Sequence, residues 1–179
     1  MSIPKVAGIE TEYGISSSPS DGDVGPLAFR LLNTYYKQLS GQSLHYTTNP
    51  INAPINKYRV MSDDEQGRTR FHTMLPNGAR LYVDHFHPEY CTAECLDPSD
   101  VVAHDKAGER ILANSVKMLR EELGPDQTVN LFKNNIDYKG QSYGCHENYL
   151  VEAGTYNNLI YRNPDVTFGC LVPCKHPLK

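Results

Sequence analysis

Nowhere in its 179 residues does the chain hold an apolar run near the roughly 18 residues that a bilayer-spanning helix needs, which excludes such a helix. The start, Met-Ser-Ile-Pro-Lys, lacks the apolar stretch and small-residue cleavage site of a secretory leader, so the cytoplasm is the expected compartment. Basic residues are sparse. Seventeen lysines and arginines against 21 acids leave a net charge of -4, and no basic cluster forms a patch for phosphate backbones, so nucleic acid is not an expected partner. Five cysteines, an odd number without dense spacing, argue for reduced thiols and against a disulfide framework. The chain also has no Walker A loop, Rossmann glycine run or nucleophile elbow. A bound nucleotide would have to be held on a sheet surface through metal ions.

What is present reads as alternating strands and covering helices. Residues 5 to 15 form a strand whose period of two aims Glu10 and Glu12 from one face. Asp23 can cap a helix running to Leu39, with Leu27, Leu31, Tyr35 and Leu39 as its apolar stripe. Residues 41 to 73 show no sustained period and read as a long surface loop, either a lid or binding segment or an insertion without function. Arg80 to His85 form a second strand, with Leu81 and Val83 on one face and Arg80, Tyr82 and Asp84 on the other. Asp97-Pro98 starts a helix carrying Leu112, Val116, Leu119 and Leu123, and Gly124-Pro125 ends it. Val129 to Lys133 and Ser142 to Val151 read as further strands, the second placing His146 on the same face as Asn148. The fold class is α+β, and the length allows one core.

Three sets of residues could carry chemistry. Glu10 and Glu12, with Glu89, Glu94 and His146, offer hard oxygen ligands and an imidazole that suit Mg²⁺ or Mn²⁺ and could hold ATP phosphates. Two acids at i and i+2 are also what an ordinary solvated strand face looks like. His85 and His87 could bind zinc if a third ligand existed, or simply pack and hydrogen-bond. Cys91 and Cys95, with Cys170, Cys174 and His176, lack the usual two-residue spacing of a zinc cage and read better as incidental thiols.

Six segments in order resemble one family: Gly-Ile-Glu-Thr-Glu-Tyr-Gly (8 to 14), Asn-Gly-Ala-Arg-Leu-Tyr-Val-Asp (77 to 84), His-Pro-Glu-Tyr (87 to 90), Asp-Lys-Ala-Gly-Glu-Arg (105 to 110), Lys-Asn-Asn (133 to 135) and Ser-Tyr-Gly-Cys-His-Glu-Asn-Tyr-Leu (142 to 150). This is the Pup-processing family of carboxylate-amine ligases, which holds a Pup ligase and a Pup deamidase/depupylase. The resemblance implies a glutamine synthetase-like cradle of curved antiparallel sheet that binds ATP and Mg²⁺, with Pup and pupylated proteins as partners. It implies Glu10, Glu12, Glu94 and His146 as metal ligands, Glu10, Tyr90 and Arg80 on the nucleotide, and Asp84 as the catalytic carboxylate.

In the depupylase branch that carboxylate attacks an amide carbonyl, deamidating the C-terminal Gln of Pup or releasing Pup from a lysine; in the ligase branch it helps deprotonate the incoming lysine. Gly-Ile-Glu-Thr-Glu, Thr-Ala-Glu-Cys and Ser-Tyr-Gly-Cys-His look more like the ligase. Asp84-His85-Phe86-His87 looks like the depupylase's Asp-His-Ala-His, and residues 41 to 73 occupy the place of its extra loop, so the resemblance favours the depupylase. Family members are longer. Residues 1 to 179 are therefore expected to be a single N-terminal portion of the catalytic domain, either a fragment or a half-enzyme completed by a second polypeptide.

Overall fold

The structure, a computed structural model, describes residues 5–19, 24–40, 59–63, 69–84, 86–134, 136 and 144–165. In chain order the elements are β1 (Ala7–Glu12), β2 (Gly14–Ser18), α1 (Val24–Ser40), β3 (Arg59–Asp63), β4 (Thr69–Met74), β5 (Arg80–Asp84), β6 (His87–Cys91), α2 (Pro98–Leu123), β7 (Thr128–Phe132), β8 (Cys145–Tyr149) and α3 (Ala153–Asn157). Six strands hydrogen-bond in the order β3-β4-β5-β6-β1-β8, and β2 pairs separately with β7. The β3-β4, β4-β5, β5-β6 and β6-β1 pairs are all antiparallel.

The hairpin β3-β4 corrects one expectation, because both strands begin inside the 41 to 73 span read as a loop. Arg59 pairs with Thr73 and Met74 with Arg80, so the segment extends the sheet outward from β5. Short runs such as Arg-Val-Met-Ser-Asp carry no clear alternation; pairing with a neighbouring strand decides their conformation. Residues 41–58 and 64–68 lie outside the described residues.

Local sequence explains the other boundaries. Asp97 is the N-cap of α2, its carboxylate accepting from the Ser99 N–H at 2.7 Å, with Pro98 at the first helical position. Gly124, at φ 86°, closes the helix by donating its N–H to the Arg120 carbonyl. Between β4 and β5, Gly78 supplies the positive φ of a tight turn in which the Leu75 N–H bonds the Ala79 carbonyl at 2.8 Å.

Helices α1 and α2 pack on each other and against the sheet, α1 over β5 and β6 and α2 over β1 and β7. The core joins Leu27, Leu31 and Leu32 of α1, Leu112 and Leu119 of α2, and Leu81 and Tyr90 from the sheet. Two of the family-like segments serve this packing. A Cβ on Gly108 would lie 2.5 to 2.8 Å from three atoms of the Tyr90 ring, so only glycine lets α2 come this close. Lys133, just after β7, places its ammonium 2.8 Å from both Asp105 and Glu109 on α2.

Val6–Asn148 makes one compact unit, and residues 149–165 belong to another. In the latter, α3 runs into one π-helical turn, Asn158–Arg162, where the rings of Tyr156 and Tyr161 meet edge to face at 6.3 Å. None of the helices among the described residues is long and apolar enough to cross a membrane.

Candidate functional site

The register across three strands builds one polar face. Glu10 sits opposite Cys91 and Glu12 opposite Glu89, while Arg80, Tyr82 and Asp84 sit opposite Cys91, Glu89 and His87. Directly paired residues project from the same side of a sheet, so β1, β6 and β5 aim alternate polar side chains at one region. The residues between them, Thr11, Leu81 and Tyr90, project into the helix-covered core.

Oxygens of Glu12, Asp84 and Glu89 all lie within 4.8 Å of one another, and so do the ligand atoms of Glu10, Glu89 and Cys91. Glu89 belongs to both groups. It is only 2% exposed, and burial pushes its carboxyl up from 4.5 to about 7. The Tyr82 hydroxyl opposes this by hydrogen-bonding the carboxylate, and the neighbouring charges of Glu12, Asp84 and Glu10 reinforce it. Burial also raises Tyr82 above the usual phenol range, and the Cys91 thiol, pushed up to about 12, donates to the Tyr82 oxygen at 3.5 Å. A hydrogen-bonded line thus runs from Cys91 through Tyr82 to Glu89.

Imidazoles approach the carboxylates at the margins. His146 Nδ1 on β8 is 3.3 Å from Glu10 Oε2, and His87 Nδ1 is 3.5 Å from Glu12 Oε2. Gly144 leaves room here: its carbonyl accepts from the Glu12 N–H at 2.9 Å, and a Cβ on it would come within 2.9 Å of His146 Nε2 and 3.1 Å of Glu12 Oε1.

Of the residues singled out from sequence, Glu10, Glu12, Arg80, Asp84 and His146 are gathered around this face. Two are not. Tyr90, expected on the nucleotide, lies 1% exposed on the opposite face, its hydroxyl accepting from Asn77 Nδ2 at 3.1 Å. Strand alternation sets this, because Tyr90 follows Glu89 by one residue. Glu94, expected as a metal ligand, is exposed and belongs to neither group of converging ligand atoms. It follows a bulge: Cys95 bridges to Ala7 while Cys91 pairs with Glu10, four residue steps against three, so the β6 side carries one extra residue.

Glu89, weighed as an oxygen ligand in the sequence but left out of the implied set, is at the centre. Tyr82 was placed on the right face without a role. The alternation of His87, Glu89 and Cys91 was the signal for both, since it marks a strand able to oppose β1 and β5. Of the zinc alternatives, His85, Cys170, Cys174 and His176 lie outside the described residues; Cys95 is buried and donates to the Ala93 carbonyl at 3.2 Å, apart from Cys91.

Four carboxylates, Glu10, Glu12, Asp84 and the buried Glu89, are an unfavourable arrangement unless a cation neutralises them. Hard oxygen ligands in this number fit Mg²⁺ or Mn²⁺.

Comparison with known proteins locates the chain. The family model described as "Pup-ligase protein" matches residues 5–163. The Pup deamidase/depupylase of Mycolicibacterium smegmatis is 38% identical over 172 residues, covering 86% of this chain and 33% of that protein. A Pup–protein ligase of Xylanimonas cellulosilytica is 40% identical over 151 residues, covering 82% of this chain and 27% of that protein. Among solved structures, the ligase PafA in complex with prokaryotic ubiquitin-like protein Pup matches with a TM-score of 0.59 and 31% identity, over 83% of this chain and 26% of PafA. The chain thus spans about a third of the depupylase it resembles, and its α+β fold is of the glutamine synthetase-like class.

Proposed function

The chain belongs to the Pup-ligase family, and from that premise we propose that it acts in an ATP- and Mg²⁺-dependent amide hydrolase that deamidates the C-terminal Gln of Pup and releases Pup from lysines of conjugated proteins. The observation that carries this reading is the convergence of Glu12, Asp84 and Glu89 within 4.8 Å. It sets a carboxylate able to attack beside carboxylates able to hold a cation. When bound, Mg²⁺ with ATP would neutralise the cluster and stabilise oxygen charge that develops during the reaction.

In this reading Glu10, Glu12 and Glu89 are the cation ligands. Tyr82 fixes the Glu89 carboxylate by a hydrogen bond, and His146 and His87 orient Glu10 and Glu12 from the edge. Asp84 attacks the amide carbonyl; a carbon–oxygen bond forms, the carbon–nitrogen bond breaks, and the amine leaves with a proton taken from solvent, which the later hydrolysis by water returns. Water then opens the resulting anhydride, returning the aspartate and a glutamate on Pup. Arg80 starts the same strand and faces the same side, where it suits the nucleotide phosphates.

The turn sequence Asp84-His85-Phe86-His87 favours hydrolase over ligase, and the 40% identity with a Pup–protein ligase keeps conjugation as the second reading. One assay separates them. The chain, alone and with any polypeptide matching the rest of the family's length, is given Mg²⁺-ATP, Pup and a pupylated protein. Release of Pup that disappears in Asp84→Ala, by about a thousandfold or more with nucleotide binding retained, is the expected result. Conjugation without release would favour the ligase, and an undiminished rate in Asp84→Ala would remove the aspartate from the mechanism.

A further inference from the structure

The tip of the hairpin that carries Asp84 is built against local preference. Asp84 pairs with His87, so β5 and β6 are joined by only His85 and Phe86. Phe86 has φ 75°, in the left-handed region that two-residue hairpins require and that glycine or asparagine normally fills. Phenylalanine is disfavoured there by the clash of its Cβ with the backbone. Its ring does not recover that cost through packing, since the residue is 57% exposed. Neither turn geometry nor core burial therefore explains an aromatic residue at this position, and strain of this kind collects where function imposes it.

We propose that Phe86 is a substrate-contact residue that receives the aliphatic stem of the lysine leaving from the isopeptide bond. This rests on the hydrolase reading above. Two residues of chain hold Phe86 within about 7 Å of Asp84, and the four methylenes of a lysine side chain span a similar distance. A conjugated protein is folded and bulky, so its lysine reaches Asp84 from the solvent side, where the hairpin tip stands. An exposed ring there packs against the methylenes and, as the bond breaks, attracts the ammonium to its face.

The two reactions of the site provide the control. Depupylation expels a lysine with its stem, whereas deamidation of Pup expels ammonia, which has none. The test measures kcat and KM for Phe86→Gly, Phe86→Tyr and the wild-type protein, with any polypeptide needed for activity, on a Pup–protein conjugate and on Pup ending in Gln. Phe86→Gly is expected to raise KM for the conjugate about five- to tenfold while leaving deamidation within about twofold. Phe86→Tyr restores the conjugate KM. Melting temperature should hold or rise in Phe86→Gly, because glycine relieves the backbone strain.

Equal effects on both substrates, or none on the conjugate, overturn the inference while the hydrolase reading stands. A drop in melting temperature that accounts for the kinetic loss also overturns it, by making Phe86 structural. A wild-type protein that processes neither substrate removes the hydrolase reading, and this inference with it.

Discussion

The two faces of β1, β5 and β6 are made from alternate residues of the same three segments, yet they obey opposite rules. On one face Thr11, Leu81 and Tyr90 are buried under α1 and α2, and even a single added carbon on Gly108 would collide with the Tyr90 ring. On the other face Glu10, Glu12, Asp84 and Glu89 crowd like charges together, with Glu89 itself cut off from water. The first face is arranged for stability and the second is arranged against it. That contrast marks the polar face as the candidate site better than any one residue does.

The strongest way to break the contrast is to hollow out the packed face. Tyr90→Ala should cost about 3–5 kcal/mol, because it removes a ring wedged between the sheet and Gly108 and leaves a cavity. Urea unfolding measures this directly. A cost below about 1 kcal/mol would mean that the helix-side packing is not as described.

Glu89 should behave in the opposite sense. Below pH 4.5 its carboxyl is protonated whether the chain is folded or not; between 4.5 and about 7 the unfolded chain releases a proton that the folded chain keeps. Without a divalent cation, stability should therefore fall as pH rises across that window, by on the order of 3 kcal/mol, and then level off. Glu89→Gln should flatten the profile and be the more stable protein at pH 8. Thermal melts from pH 4 to pH 8 in a chelator would show it, and stability that rises with pH in the wild type but not in Glu89→Gln would contradict the assignment.

A smaller effect sharpens the same boundary. Gly108→Ala gains helix propensity but drives a Cβ into the Tyr90 ring, for a net loss of about 1–2 kcal/mol. Tyr90→Leu in the same background should recover part of that loss, as a double-mutant cycle would reveal. Independent effects would place the clash elsewhere.

How much of this was legible beforehand depended on whether a feature was local. The shared face of Glu10 and Glu12, the capped start of α2 at Asp97 and the apolar stripes of α1 and α2 follow from short-range period and cap chemistry, and the structure has them all. Register is not local. Tyr90 was expected on the nucleotide, and Glu89, weighed as an oxygen ligand, dropped out of the set the resemblance implied, although the two differ by one position; in a strand, one position is the whole difference between the two faces. Glu94 lies beyond β6, after a bulge that sets which face it takes and that depends on how β6 meets β1. The β3-β4 hairpin stayed hidden because its strands are short and polar, and pairing with β5 defines them.

The most direct test of the two-faced sheet is Mn²⁺ binding followed by electron paramagnetic resonance in the wild type, Glu89→Gln and Tyr90→Phe. The carboxylate face predicts that the wild type binds the ion, that Glu89→Gln loses at least about tenfold in affinity, and that Tyr90→Phe binds like the wild type. Unchanged affinity in Glu89→Gln, or its loss in Tyr90→Phe, would contradict the account.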